Sequence, residues 1–163
     1  MIIRAMAAED IEQVSGIHSR VFVRQVRSRE WIECNFRAFP RMRYFVAQEA
    51  GRLEGYIHWT ERSGFREKVV LELEQLGVAP ARQGQGIGRR LIVESLPFVA
   101  TAITERGAAI QHIVVTTRAD NSAQRLYRNA LGAEIEATIP RLYSADEVFM
   151  IARDVDLRAI IEG

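Results

Sequence analysis

Gly84, Gly86 and Gly88 stand at alternate positions in the run Val78-Ala79-Pro80-Ala81-Arg82-Gln83-Gly84-Gln85-Gly86-Ile87-Gly88-Arg89-Arg90. A strand-like apolar segment precedes them and a helix-forming segment follows. A helix N-terminus carries unpaired N–H groups and a partial positive charge. Glycines there let a phosphate reach the backbone with no side chain in the way. Arg82, Arg89 and Arg90 add permanent charge. The stretch reads as a pyrophosphate cradle. Just upstream, Glu72 and Glu74 put two carboxylates on one strand, where a carboxylate near a cleft could take a proton from an ammonium group. Further on, Tyr127 shares a helical stripe with Ala123, Leu126, Ala130 and Leu131. A phenol there can face a cleft while its ring packs.

Two common phosphate-binding templates fit poorly. The P-loop needs a Lys directly after its glycines, and none follows here. The dinucleotide fingerprint needs G-x-G-x-x-G and an acid on the next strand. Here the third glycine comes one place early, and Glu105 falls inside the expected helix.

Several function classes drop out on composition. With 22 basic and 21 acidic residues the net charge is +1, so no broad basic field suggests nucleic acid. Cys34 is the single cysteine, which excludes an internal disulfide and a cysteine-based zinc site. His18, His58 and His112 have no metal-ligand spacing. No apolar run reaches membrane-spanning length, and Met1 leads directly into a strand pattern without a leader. A cytoplasmic chain forming one domain over residues 1–163, with no metal and no membrane or nucleic-acid partner, is the expectation.

The elements that must position these residues follow from periodicity. Strands are expected at Ile2–Ala5, Arg43–Glu49, Arg52–Thr60, Lys68–Val78, Gln111–Thr117, Ala133–Ile139 and Glu147–Arg153. A turn at Ala50-Gly51 makes the second and third a hairpin. Helices are expected at Ala8–Val21, from Ser28 (as N-cap) to Pro40, at Gly86–Arg106 and at Asn121–Leu131. The long helix shows a stripe of Ile87, Leu91, Ser95, Phe98, Ala102 and Ile103, should kink at Pro97, and has Gly107 as its C′ residue.

The fourth strand changes phase. Val69, Leu71 and Leu73 occupy odd positions, whereas Leu76 and Val78 occupy even ones. A one-residue slip near Glu74-Gln75 is what a β-bulge produces. The other reading is that Leu73 and Leu76 face two different cores.

Gln83-Gly84-Gln85-Gly86-Ile87-Gly88 matches the Q/R-x-x-G-x-G/A signature of the GNAT N-acetyltransferases residue for residue, and on it the chain resembles that family. The element order also follows the family over nearly the whole length. The resemblance implies an α/β fold with a mixed, mostly antiparallel sheet, a splayed parallel strand pair and flanking helices. It implies acetyl-CoA as acyl donor, direct acetyl transfer to a primary amine of a small molecule or peptide, and a monomer or homodimer. A non-catalytic acyl-CoA sensor on the same fold is the alternative function; a Rossmann-type nucleotide binder is the less fitting one.

Residue by residue, the resemblance implies that the N–H groups of Gln83, Gly84, Gln85, Gly86, Ile87 and Gly88, with Arg89, contact the pyrophosphate. It implies that backbone groups of Leu76, Gly77 and Val78 bind the pantetheine arm beside the Gln111–Thr117 strand. Asn121 and Arg128 would reach the nucleotide or pantetheine side. Glu72 or Glu74 would be the base, with no choice between them, and Tyr127 the acid that protonates the departing thiolate. The family's N-x-x-A-x-x-L-Y pattern is one residue short here: aligning Tyr127 puts Asp120 in the Asn position, and aligning Asn121 turns Tyr127 about 100° round the helix. The acceptor would lie against Val21–Arg43 and Pro140–Asp146. Arg20, Arg24, Arg27, Arg29, Arg37, Arg41 and Arg43 there could favour an acidic acceptor or form a solvated surface, and Tyr143 and Trp59 could line the site or pack.

Overall fold

The computed structural model describes residues 1–162. Seven strands form one sheet in the order β1-β2-β3-β4-β5-β7-β6. They are β1 (Ile2–Ala5), β2 (Met42–Glu49), β3 (Arg52–Glu61), β4 (Lys68–Val78), β5 (Ala109–Arg118), β6 (Glu134–Ile139) and β7 (Glu147–Ala152). Every neighbouring pair is antiparallel except β4 with β5. The crossover joining that parallel pair carries α3 (Ile87–Thr104). The sequence-based order of strands and helices is recovered, with one addition, a short α5 at Leu157–Glu162.

Each face of the sheet is covered. On one, α3 buries Ile87, Leu91, Ile92, Leu96, Val99 and Ile103 against Phe45, Ile57, Trp59, Leu71, Leu73, Ile113 and Val115. Fully burying one such side chain contributes roughly 1.5–3 kcal/mol, before entropy is counted. The buried arc of α3 lies to one side of the expected stripe. Phe98 falls on its edge and is 60% exposed, whereas Val99 is sealed. The helix runs through Pro97 without a break. Trp59 packs here and lines no site: its indole N–H donates to the Ser95 hydroxyl at 2.8 Å, so both buried polar groups are satisfied.

On the other face, α1 (Ile11–Val21) and α2 (Ser28–Arg37) cover Tyr44, Val46, Leu53 and Tyr56 with Val14, Ile17 and Ile32. Helix α1 is led in by a 3₁₀ turn at Ala8–Asp10. There the buried Asp10 carboxylate accepts both Arg4 nitrogens, at 2.6 and 2.9 Å, and the Ala7 N–H at 2.8 Å. Ser28 does not cap α2. Arg27, in left-handed conformation, holds the cap position, and the Ser28 hydroxyl meets His18 instead.

The anticipated bulge is present. In the β3–β4 ladder His58 stands opposite Gln75 and Trp59 opposite Leu73, so Glu74 has no partner. The side chains change sides there. Leu73 packs toward α3, Gln75 contacts α1 and α2 residues, and Leu76 returns to the α3 side. Pairing of β4 with β5 stops at Glu72 opposite Val114. Beyond that point the two parallel strands diverge.

Candidate active site

The glycine turn begins at the end of β4 and ends as α3 starts. Gly84 and Gly86 have φ of +75° and +79°, and a Cβ at either would meet nothing within 4 Å. Their lack of a side chain thus serves backbone conformation and leaves the surface of the turn open. Gly86 is the N-cap of α3 and supplies no side-chain cap, so the first-turn N–H groups are not capped from within. Gly88 has a different duty. A Cβ there would stand 3.0 Å from Leu126 Cδ2, so this glycine lets α3 close on α4 (Gln124–Leu131).

The three arginines around the turn differ. Arg82 pairs with Glu49 at 2.7 Å and Glu54 at 3.3 Å, which fastens the turn to the β2–β3 hairpin. Arg90 pairs with Glu94 at 2.6 Å. Among the described residues Arg89 forms no ion pair and its side chain is exposed, so it is the cation left free at the cradle. Gln83 donates its side-chain amide to the Val78 carbonyl at 3.1 Å.

Alternation along the β3–β4 ladder decides which backbone groups face the divergence of β4 from β5. The Ala79 N–H donates to the Glu54 carbonyl at 2.8 Å, which makes that pair, and Gly77 with Tyr56 two residues back, hydrogen-bonded. Gly77 therefore turns its backbone groups to β3, and those of Leu76 and Val78 point toward β5. For Gly77 this corrects the sequence-based expectation. What Gly77 supplies is space: a Cβ would come 2.6 Å from Tyr56 Cε1.

Glu72 and Glu74 emerge on the face covered by α1 and α2, in different settings. Glu72 pairs with Arg62 at 3.1 Å, beside the last paired rung of β4 and β5. Burial raises its pKa, against the pull of Arg62. Glu74 is the bulged residue. Its Oε2 accepts the Thr60 hydroxyl at 2.8 Å, and Thr60 Oγ1 lies 3.1 Å from His58 Nε2. Since Thr60 donates to the carboxylate, the ring must donate to Thr60, so His58 carries its hydrogen on Nε2. Burial pushes the His58 pKa down to about 3, so the ring is neutral. It stacks on Tyr44 with centroids 4.2 Å apart.

Tyr127 lies in the α3-side core and is 6% exposed. Among the described residues its hydroxyl has no hydrogen-bond partner. It is also absent from the sealed, unpartnered side-chain atoms, which are Asn35 Nδ2, Arg43 Nε, Tyr44 Oη and His58 Nδ1. The phenol oxygen therefore keeps a solvent contact, and burial pushes its pKa up to about 12. Asn121 shapes the turn into α4: Oδ1 accepts the Ala123 N–H at 3.0 Å and Nδ2 donates to Thr117 at 2.8 Å. Asp120 is held by Arg118 at 2.8 and 2.9 Å. Arg128 turns to Glu134 at 3.3 Å. Asn121 and Arg128 thus engage local partners and are not brought to the glycine turn by any contact.

Residues 40–130, more than half of the chain, match the family described as acetyltransferase (GNAT) domain. The chain belongs to the GNAT acetyltransferase family. Among similar proteins, the N-alpha-acetyltransferase RimI of Mycobacterium tuberculosis (strain ATCC 25618 / H37Rv) is 29% identical over 157 residues, which is 93% of this chain and 91% of that one. The crystal structure of an aminoglycoside 6'-N-acetyltransferase complexed with coenzyme A has TM-score 0.73 at 17% identity, covering 96% of this chain and 98% of that one. That of the ribosomal-protein-S18-alanine N-acetyltransferase from Escherichia coli also has TM-score 0.73, at 19% identity, covering 95% and 94%.

In this GNAT domain several residues near the bulge escaped the sequence reading. Thr60 meets Glu74, and Gln75 meets Tyr56, only because β3 and β4 pair, and His58 joins the first pair through Thr60 on its own strand. Away from the bulge, Glu147 of β7 escaped it too: it stands opposite Arg118 of β5, is 6% exposed, and burial raises its pKa. No local pattern marked any of them. Of the arginines around α2, Arg27 pairs with Glu30, Arg29 with Glu12 and Arg37 with Glu33, whereas Arg43 lies over the Phe39 ring. Tyr143 is 75% exposed, in the loop between β6 and β7. Among the described residues no group of three or more His, Cys, Asp or Glu side chains could hold a metal, and no helix is long and apolar enough to cross a membrane.

Proposed function

We propose that residues 1–163 act as a single cytoplasmic GNAT domain that moves the acetyl group of acetyl-CoA to a primary amine. The observation that carries this reading is the opening between β4 and β5 directly beside an uncapped glycine turn. The N–H groups of residues 84–88 and the Arg89 guanidinium suit a pyrophosphate, whereas the Gln83 N–H already meets the Pro80 carbonyl at 3.4 Å. The outward N–H and C=O of Leu76 suit an amide of the pantetheine arm, and Val78 contributes its N–H while Gln83 holds its carbonyl.

Glu74 is the base in this reading. It lies at the bulge, beside the opening, and Thr60 fixes its carboxylate with a hydrogen bond that leaves Oε1 free of protein donors. Glu72 is engaged by Arg62. Glu74 takes the ammonium proton, through water, and frees the nitrogen lone pair. That nitrogen bonds the thioester carbonyl carbon, the C–S bond breaks, Tyr127 gives the thiolate its proton, and the second proton lost by the nitrogen as it becomes an amide returns through water to the phenolate. A phenol whose pKa is raised holds that proton until the sulfur becomes basic.

The RimI relative supports a peptide α-amine as the first acceptor to try. The test follows CoA thiol release from acetyl-CoA across peptide N-termini, lysine peptides and aminoglycosides. It is paired with thermal stabilisation by acetyl-CoA, which at about 100 times Kd should add about 2.7 kcal/mol. Stabilisation without release for any amine would make the protein a sensor. No stabilisation at saturating ligand would remove the cradle assignment.

A further inference from the structure

The bulge also turns Gln75 onto the α1–α2 face, where it is 5% exposed. Its Oε1 accepts the Trp31 indole N–H at 3.2 Å and the Tyr56 hydroxyl at 3.1 Å. Its Nε2 donates to Gln25 Oε1 at 3.2 Å. An indole N–H can only donate, so Trp31 fixes which end of the Gln75 amide faces it. That in turn orients Gln25 with its oxygen toward Gln75. His18 Nε2 lies 2.9 Å from the same oxygen and must carry the ring hydrogen. Its 3.3 Å approach to Gln75 Nε2 is then a contact between two donors and no bond. His18 Nδ1 accepts the Ser28 hydroxyl at 2.8 Å.

One side chain of β4 therefore holds α1 through His18 and Gln25, α2 through Trp31, and the connection between the helices through Gln25. Apolar packing holds only the start of that connection, where Phe22 stacks on His18, and Val23 and Val26 are 71% and 79% exposed. The connection meets β4 at the edge of the opening, since Gln25 bonds Gln75 three residues past the last rung that β4 shares with β5.

We propose that Gln75 is a positioning residue for the acceptor. It sets the α1–α2 connection over the opening where the amine arrives, and it governs acceptor affinity, not acyl-donor affinity. This rests on the acetyltransferase reading above. The test compares wild type with Gln75→Leu, Gln75→Glu and Gln25→Ala. For Gln75→Leu, amide hydrogen exchange over residues 22–31 should accelerate at least tenfold while α3 and β5 stay unchanged. The acetyl-CoA Kd should stay within twofold, and KM for a hexapeptide with N-terminal alanine should rise at least tenfold. Gln75→Glu keeps both accepted bonds and lets Gln25 reverse its amide, so exchange should return toward wild type. The His18 hydrogen should then move from Nε2 to Nδ1, read from imidazole ¹⁵N shifts. Gln25→Ala, at an exposed position, should reproduce the loosening even if Gln75→Leu fails to fold. Unchanged exchange over 22–31, protection lost throughout the sheet, or both KM values rising together would overturn the proposal. Failure of the wild type to bind acetyl-CoA would overturn the acetyltransferase reading instead, which the exchange measurement does not need.

Discussion

Thr60 donates its hydroxyl hydrogen to Glu74 at 2.8 Å, from β3 to the residue of β4 that the ladder skips between Leu73 and Gln75. The bond settles the orientation of a carboxylate that the bulge would otherwise leave loose. Glu74→Gln should lower kcat by about 100-fold or more, the usual range for a lost general base. Thr60→Val should lower it less, with acetyl-CoA affinity kept in both. Steady-state kinetics against the best acceptor of the amine screen measures this, and an unchanged Glu74→Gln rate would end the assignment.

Tyr127 has a hydroxyl without a protein partner, so removing it should cost little stability. Tyr127→Phe is expected to leave Tm within a few degrees and acetyl-CoA binding intact while kcat drops at least tenfold. Turnover equal to wild type would reduce Tyr127 to a packing residue.

Glu72 gives a pH prediction with a definite sign. Burial raises its pKa above the ordinary 4.5, so the folded protein holds this proton more tightly than the unfolded chain. From 4.5 up through the raised folded value, stability then falls as pH rises. Glu72→Gln removes that loss. Its Tm, relative to wild type, should be more favourable at pH 7 than at pH 4. The reverse ordering would show that the Arg62 pair outweighs burial.

Gly88 and Leu126 should be energetically coupled. Gly88→Ala places a methyl 3.0 Å from Leu126 Cδ2 and should destabilise by about 1–3 kcal/mol, the usual cost of overpacking. In a Leu126→Ala background the same change should be nearly neutral, as denaturant titrations in a double-mutant cycle would read. Equal costs in the two backgrounds would show that α3 and α4 do not meet through this pair.

Arg89 and Arg82 should separate affinity from stability. Arg89→Ala is expected to weaken acetyl-CoA binding about tenfold or more, in line with losing a charge-assisted hydrogen bond. Arg82→Ala should instead lower Tm by releasing Glu49 and Glu54. Calorimetric titration and thermal unfolding of both variants distinguish the roles.

Much of this was legible in the chain because it is local. The phase slip between Leu73 and Leu76 announced the bulge, and the glycine spacing announced the turn. What was not legible depends on pairing. Whether Glu72 or Glu74 is the unpaired residue is set by how β3 and β4 align, and Thr60 reaches Glu74, as Gln75 reaches Tyr56, only through that alignment. Ser28 has the chemistry of a cap, yet the nearby His18 ring takes its hydroxyl. Phe98 has the right spacing for the core, but the buried arc of α3 is centred nearer Val99.

The divergence of β4 from β5 begins where β4 has one residue more than β3 can pair. The width of that opening is thus written in chain length and not in any side chain. Substitutions along β4 can alter what lines it and leave it open. Deleting Glu74 would restore register with β3 and leave Gln75 on its present face, because Leu73 and Gln75 already point to opposite sides as consecutive strand residues do.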